Sequence, residues 1–238
     1  MSRPTAARPR NLLVAVAGGL TFVASLLTFG WYYAVGWEAD VGGPALEPAI
    51  VNTVLFSIFA LHHSLFARTG LKHWIVSVVP VVLERSTYVW IASVLLIVVT
   101  MAWQPVPGVA WHVSGWIGGV MSLIQVLAAV TTVLAARRLG TLRLAGVTQV
   151  IEQPGEAASG ALYVRGLYGL VRHPIYTAWV VMVWCTPHMN GTRLLFAAIS
   201  TFYLVVAVPF EERDLRRAFP EYVGYSARVR WRMLPFLY

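Results

Sequence analysis

Charged side chains are scarce in this sequence, since Asp, Glu, Lys and Arg together make up only 12% of its 238 residues. Hydrophobic residues make up 58%, and the mean hydropathy is +0.68. A soluble domain of this composition would leave far too much apolar surface in water. The composition therefore excludes an ordinary soluble domain and predicts a protein of the lipid bilayer.

Cysteine and acidic residues are also few. The single Cys185 excludes an internal disulfide, and Cys and His are too scattered for a structural zinc site, so no metal is expected. Lys and Arg outnumber Asp and Glu by 18 to 10, which in a soluble protein would suggest nucleic acid. Here the charges lie between apolar runs, so no nucleic-acid partner is expected.

What the sequence does have is a series of uncharged runs, and about 20 apolar residues suffice to span a bilayer. The first run is too long for the apolar core of a signal peptide. The sequence QPVPG at Gln104–Gly108 divides one long run into two helices, and Pro187, Asn190 and Gly191 join two others as a hairpin. The predicted membrane helices lie in residues 11–37, 48–67, 86–136 (two helices), 175–186 and 194–210.

The first arm of the hairpin is short, so five and six spans both remain open. With six spans, 17 of the 18 Lys and Arg residues fall on one side of the membrane, and only Arg193 falls on the other. Positive residues in short loops stay in the cytoplasm. The sequence therefore predicts an all-α, polytopic helical bundle with five to six transmembrane helices, cytoplasmic termini and a cytoplasmic C-terminal helical tail.

The stretch GLYGLVRHPIY, Gly166–Tyr176, brings Arg172 and His173 to the expected start of a helix at Pro174. Free N–H groups, the positive end of the helix dipole and a guanidinium all favour a bound anion. We therefore expect this stretch to hold a negatively charged group.

An acidic pair, Glu211 and Glu212, follows at the expected end of the last membrane helix. Carboxylates next to hydrocarbon are costly unless they are paired, so they either form ion pairs with Arg172, Arg213 and Arg216 or hold a cationic ligand. An anion site beside carboxylates suits a zwitterion with an extra positive charge, such as S-adenosylmethionine. The tail after the pair alternates basic and apolar residues, which also suits a helix lying on the anionic inner leaflet and its lipids.

The order GLYGLVRHPIY, a hydrophobic hairpin, EERDL and FPEYVGYSARV resembles the signature of a membrane methyltransferase superfamily. This superfamily includes isoprenylcysteine carboxyl methyltransferases and phospholipid methyltransferases. The match covers about Val164–Arg230. It implies one membrane methyltransferase domain over residues 1–238, with four transmembrane helices in 11–136 and an S-adenosylmethionine-binding half in 164–238. The family motif falls on Tyr168, Arg172, His173, Pro174, Tyr176, Glu211, Glu212, Tyr222 and Tyr225.

The resemblance implies roles for the cofactor-side residues, which include Tyr168 and Tyr176. Arg172 and His173 are expected to hold the methionine carboxylate or to position the cofactor, and Glu211 or Glu212 to hold its amine or ribose hydroxyls. Tyr222 is expected to stack on the adenine, although membrane anchoring explains an interfacial tyrosine equally well.

The first half of the chain resembles bacterial methanethiol S-methyltransferases. The similar stretches are ALHHSLFAR, LERSTYVW, WQPVPGVAW and, in the hairpin, TPHMNGTRLLFAAISTFYL, whereas RRLGTLRLAG at Arg137–Gly146 departs from the pattern. The resemblance implies a small thiol as acceptor and location in a bacterial plasma membrane. An isoprenylcysteine carboxylate or a phospholipid amine is the alternative acceptor.

His62 and His63 lie near the predicted cytoplasmic end of the second span, with Tyr88 on the third. An intramembrane histidine often only bonds one helix to another, yet an ionisable group at this depth is also a functional candidate. A thiol reacts as its thiolate, so we expect His62 first, and His63 and Tyr88 after it, to act on the acceptor. The predicted reaction is a direct methyl transfer without a covalent enzyme intermediate or a metal, driven by positioning and desolvation. A non-catalytic transporter or accessory protein on the same scaffold is the alternative from another class.

Overall fold

The computed structural model describes residues 9–66, 79–138, 140–151 and 162–238. The predicted loop residues Arg68 and Lys72 and the polar stretch PGEAASG lie outside them. The described helices are α1 Pro9–Trp31, α2 Leu46–Phe66, α3 Glu84–Ala102, α4 Gly115–Arg138, α5 Thr141–Leu144, α6 Thr148–Ile151, α7 Pro174–Trp184, α8 Gly191–Ala218 and α9 Tyr222–Arg228. A π-helical turn extends α1 over Tyr32–Gly36, and two short strands are β1 Val109–His112 and β2 His188–Asn190.

Four of the described helical segments are long and apolar enough to cross a membrane. They are Pro9–Gly36, Val81–Ala102, Gly115–Arg137 and Gly191–Ala218. Helix α2 has 21 residues, about 31 Å at a rise of 1.5 Å per residue. Helix α7 has 11 residues, about 16 Å and too short to span a bilayer unaided. A helical membrane protein is confirmed, and the number of spans stays a prediction.

The fold is not purely helical, because β1 and β2 form a two-stranded antiparallel sheet. The strands lie at the two helix breaks predicted from Gln104–Gly108 and Pro187. Proline lacks a backbone N–H and disfavours helix in both segments, which leaves them extended and able to pair. Gly191 directly follows β2. A Cβ added to this glycine would lie 2.3 Å from the carbonyl oxygen of Pro107.

Helix α8 corrects one expectation about the acidic pair. We expected Glu211 and Glu212 at the end of the last membrane helix, but α8 continues to Ala218, so the pair lies inside it. The polar extension suits a helix because Glu212 and Arg216 form an i,i+4 ion pair at 3.6 Å. The pair is therefore held on a rigid helix.

The chain divides into two compact units. The first comprises residues 1–37, 50–104 and 140–160. In it α1 packs on α3, where Trp90 lies directly over Gly18. The Ser86 hydroxyl donates to the carbonyl of Gly146 at 2.6 Å. One buried hydrophobic cluster of this unit consists of Ala15, Leu83, Ala145, Val147 and Val150.

The second unit comprises residues 38–49, 105–139 and 161–238. Helix α7 packs between α4 and α8, since it contacts both. The side chain of Gln125 donates to the carbonyl of Met182 at 2.9 Å, and the indole of Trp184 donates to Thr201 at 2.8 Å. Arg193, the one basic residue predicted on the far side, is buried and donates to the carbonyl of His188.

The predicted single methyltransferase domain over residues 1–238 stays a prediction.

Candidate active site

The motif stretch Gly166–Tyr176 forms a short turn followed by the start of α7. Gly166 has a φ of +63°, which L residues with a side chain rarely adopt. Pro174 is at the first position of α7, as predicted. The backbone N–H groups of Arg172 and His173 donate to the carbonyls of Trp231 and Arg232 at 2.9 and 2.8 Å. The tail therefore pairs with the backbone just before α7.

The guanidinium of Arg172 joins α8 to the end of α9. Its Nε donates to Oε1 of Glu212 at 2.6 Å. Its Nη1 lies within hydrogen-bonding distance of three carbonyl oxygens at the C-terminal end of α9, those of Ser226, Val229 and Arg230, at 3.2, 3.1 and 3.4 Å. A cation at these carbonyls caps the helix and complements its dipole. The side chain is only 8% exposed, so it is committed largely to contacts within the protein.

Glu212 is the centre of a buried ionic cluster. Its side chain is 1% exposed and lies 2.6 Å from Arg172, 3.3 Å from Arg232 and 3.6 Å from Arg216. His173 Nε2 is 3.5 Å from the same carboxylate. We call Glu212, Arg172, His173, Arg216 and Arg232 the Glu212 cluster. Because a buried carboxylate needs such partners, the cluster fixes α7, α8 and the tail to one another.

Glu211 has a different environment from its neighbour. Its side chain remains 41% exposed. The hydroxyl of Tyr176 donates to Oε2 of Glu211 at 2.7 Å, and His173 Nδ1 lies 3.8 Å from the same oxygen. The rings of His173 and Tyr176 stack at 5.4 Å with an interplanar angle of 5°. Of the acidic pair, Glu211 is the carboxylate that a ligand can reach.

Three tyrosines surround the motif turn. Tyr225 donates to the carbonyl of Tyr168 at 2.7 Å, and burial raises the pKa of each of these two phenols to about 12. The Tyr222 hydroxyl is buried and makes no hydrogen bond of standard geometry with the described residues. Burial first, and then the Glu212 charge, raise the pKa of Tyr222. These phenols therefore stay neutral at physiological pH and can donate a hydrogen bond.

A cavity of about 210 Å³ lies beside the motif turn. It is lined by Leu134, Ala135, Tyr163, Arg165, Gly166, Leu167 and Tyr168. Sequence reasoning assigned Tyr168 to the site but missed Tyr163 and Arg165. Their position just before the glycine-rich turn is only a weak signal in the sequence. Arg165 supplies the cationic group in this wall.

The three residues predicted to act on the acceptor lie in the first unit. The hydroxyl of Tyr88 lies 2.9 Å from Nδ1 of His63, and the ring of His62 stacks on Tyr88 at 5.6 Å. His62 is 8% exposed, whereas His63 is exposed. The structure thus brings the predicted trio together. Throughout the described ranges, no three His, Cys, Asp or Glu side chains converge in a way that could hold a metal ion.

The chain is similar along most of its length to curated proteins. Methanethiol S-methyltransferase 2 of Bradyrhizobium diazoefficiens is 34% identical over 231 residues, 94% of this chain and 89% of that protein. The methanethiol S-methyltransferase of Mycobacterium tuberculosis is 35% identical over 234 residues, 92% of this chain and 95% of that protein. The chain belongs to the methanethiol S-methyltransferase family.

Family membership confirms the resemblance seen in the sequence and the predicted class of protein, an integral membrane methyltransferase. Nurim of Bos taurus, at 30% identity over 194 residues, is a further relative and covers 76% of this chain and 73% of its own length. No family model matches the sequence. No solved structure matches it either.

The residues of the second unit fit the methyl donor expected for a methanethiol S-methyltransferase family member. S-adenosylmethionine has a cationic amine and sulfonium, a carboxylate and an adenosine. The exposed carboxylate of Glu211 suits a cation, and Arg165 suits a carboxylate. The donor set is therefore chemically complementary to the cofactor.

Proposed function

We propose that this protein transfers a methyl group from S-adenosylmethionine to methanethiol and releases dimethyl sulfide. The observation that supports this best is similarity over 94% of the chain to a protein named methanethiol S-methyltransferase 2. The region of similarity includes the first half of this chain, which carries His62, His63 and Tyr88. S-adenosylmethionine supplies the electrophilic methyl group when it is bound.

Within the acidic pair, we assign cofactor binding to Glu211. Its carboxylate is exposed and is oriented by Tyr176, so it can accept hydrogen bonds from the cofactor amine or ribose. Glu212 is buried and paired with Arg172 and Arg232, and it serves to hold the site together. Arg172 and His173 orient the residues that hold the cofactor, which differs from both roles expected for them, contact with the methionine carboxylate and positioning of the cofactor itself.

The aromatic and basic residues around the cavity complete the proposed cofactor site. Arg165 would hold the carboxylate of the cofactor by a charge-assisted hydrogen bond. Tyr168 lines the same cavity. Catalysis then rests on holding the two reactants in line and excluding water, since no covalent intermediate is needed.

The assignment of Glu211 is tested by binding of S-adenosylmethionine to the purified protein in detergent. We expect Glu211→Gln to weaken binding about tenfold or more, because a hydrogen bond to a charged group contributes about 1.5–3 kcal/mol. Glu221→Gln, at an exposed carboxylate on the nearby tail, is the matched control and should bind normally. Equal affinity of the Glu211 and Glu221 variants would refute the assignment.

The reaction itself is tested in membranes that contain the protein. Dimethyl sulfide released from methanethiol and S-adenosylmethionine is measured by headspace gas chromatography. A farnesylated cysteine analogue and phosphatidylethanolamine are assayed in parallel. The proposal would be contradicted if the protein methylated phosphatidylethanolamine or the farnesylated cysteine carboxylate but not methanethiol. It would also be contradicted if the purified protein bound no S-adenosylmethionine.

We also infer that both termini are cytoplasmic and that the membrane is a bacterial plasma membrane. Support comes from the basic residues, which gather on one predicted side. A cysteine introduced at exposed Arg217, in a Cys185→Ser background, should resist a membrane-impermeant maleimide in intact cells and react in inverted vesicles. The opposite pattern would reverse the orientation.

A further inference from the structure

The hydroxyl of Tyr88 contacts two atoms of the same histidine. It lies 2.9 Å from Nδ1 of His63 and 3.3 Å from the carbonyl oxygen of His63. A phenol has one proton to donate, and a carbonyl oxygen can only accept. Both contacts are hydrogen bonds only if Tyr88 donates to the carbonyl and accepts a proton from Nδ1.

This pattern determines the tautomer of the neutral imidazole. With its proton on Nδ1, His63 has an unprotonated Nε2, and that nitrogen is a proton acceptor. If Tyr88 instead donated to Nδ1, the proton of the imidazole would be on Nε2 and the 3.3 Å contact with the carbonyl would not be a hydrogen bond. The two contacts of Tyr88 therefore favour the tautomer in which His63 Nε2 is unprotonated and can accept a proton.

The surrounding rings keep this arrangement in place. The ring of Phe59 stacks on His63 with a centroid distance of 5.7 Å and an interplanar angle of 28°. The ring of His62 stacks on Tyr88 with a centroid distance of 5.6 Å and an interplanar angle of 13°. His63 is exposed, while His62 is largely buried. A small lipophilic molecule can thus reach His63 more readily than His62.

We propose that His63 is the base that takes the proton of the acceptor thiol, and that Tyr88 is the positioning residue that fixes its tautomer. This rests on the proposed function and reverses the order expected from the sequence, which put His62 first. The S–H bond breaks, the proton goes to His63 Nε2, and the electron pair stays on sulfur. The thiolate then bonds to the methyl carbon, the pair of the broken bond leaves with the donor sulfur, and His63 returns its proton to water.

A base is needed because the thiolate, not the thiol, is the nucleophile. A simple alkanethiol is almost entirely protonated near neutral pH. A thiol with a pKa well below 7 is already ionised and needs no base. The acidity of the acceptor therefore separates a proton-transfer role of His63 from a structural one.

The activity test compares methanethiol with an acidic aryl thiol in the full-length protein in membranes. We expect His63→Ala to lower kcat/KM for methanethiol about 100-fold or more, the usual size of general-base catalysis, and that for the aryl thiol only a few fold. Tyr88→Phe should lower methanethiol turnover about tenfold, the effect of one oriented hydrogen bond. His62→Ala is the matched control and should affect both thiols equally.

A second measurement does not depend on activity. In protein labelled with 15N-histidine and solubilised in detergent, NMR should show His63 protonated on Nδ1, and Tyr88→Phe should shift the proton toward Nε2. A proton on Nε2 in the unaltered protein would overturn the positioning role of Tyr88. Equal loss of both thiol activities in His63→Ala would overturn the base assignment alone, whereas failure of the unaltered protein to methylate any thiol would overturn the proposed function as well.

Discussion

Replacing Arg172 by methionine tests whether this arginine holds the protein together or holds the cofactor. The change keeps much of the side-chain length but removes the charge and every donor. Glu212 then loses its 2.6 Å partner and keeps Arg232 at 3.3 Å and Arg216 at 3.6 Å. The C-terminal carbonyls of α9 lose their cap.

The size of the effect follows from burial. Removing one partner of a buried ion pair costs about 3–5 kcal/mol. For a chain of this size each kcal/mol lowers Tm by about 2–4 °C, so Arg172→Met should lower it by about 6–20 °C. Because Glu212 retains two other arginines, the lower half of this range is the expected result. The loss should be similar in Glu212→Gln, which breaks the same pair.

The assay is thermal unfolding in detergent followed by tryptophan fluorescence, for which the chain has 10 Trp residues. Arg217→Met is the matched control. Its side chain is 73% exposed and lies 3.7 Å from Asp214, an exposed pair expected to contribute about 0–1 kcal/mol. If Arg172→Met unfolds no earlier than Arg217→Met yet abolishes S-adenosylmethionine binding, Arg172 contacts the cofactor directly and the reasoning above is wrong.

Further predictions concern neighbouring glycines and the tail. Gly118→Ala should lower Tm, since its Cβ would lie 2.3 Å from the carbonyl oxygen of Val113, whereas Gly119→Ala, with nothing within 4 Å, should leave Tm unchanged or slightly raised. Equal Tm values would contradict the close approach at Gly118. Tyr225→Phe should lower Tm by a few degrees, because the carbonyl of Tyr168 loses a buried donor at 2.7 Å. The raised pKa of Tyr225, about 12, implies stability that is complete below the ordinary tyrosine value of about 10 and is lost as pH rises toward 12. Tm measured between pH 9 and 11 should fall less in Tyr225→Phe than in the unaltered protein.

Much of the fold could be predicted because membrane helices depend on the local composition of the chain. The uncharged runs on the two sides of Gln104–Gly108 became α3 and α4, and Pro174 opened α7 as its position predicts. The β1–β2 sheet could not be foreseen, since its partners are 4 and 3 residues long and are brought together only by the fold. A pairing of two such short segments leaves no periodicity to detect.

The candidate site was predictable in its membership but not in its division of roles. Arg172, Glu211 and Glu212 could be selected because charged side chains are costly in a membrane. Their sequence positions do not reveal that Glu212 faces three arginines while Glu211 stays exposed, because adjacent residues on a helix point about 100° apart. Arg165 was missed because a single arginine before a glycine turn is common, and its importance comes from the cavity beside it.

The contacts between the tail and the start of α7 also bear on how the protein is made. Residues 229–233 accept hydrogen bonds from Arg172, His173 and Thr177, yet they are synthesised more than 50 residues later. During that interval the growing chain contains Arg172 and its neighbours without their tail partners. Biosynthesis therefore completes this half of the protein late, and a ribosome that stalls after α8 would leave in the membrane a chain whose membrane helices are present but whose proposed cofactor site is unfinished.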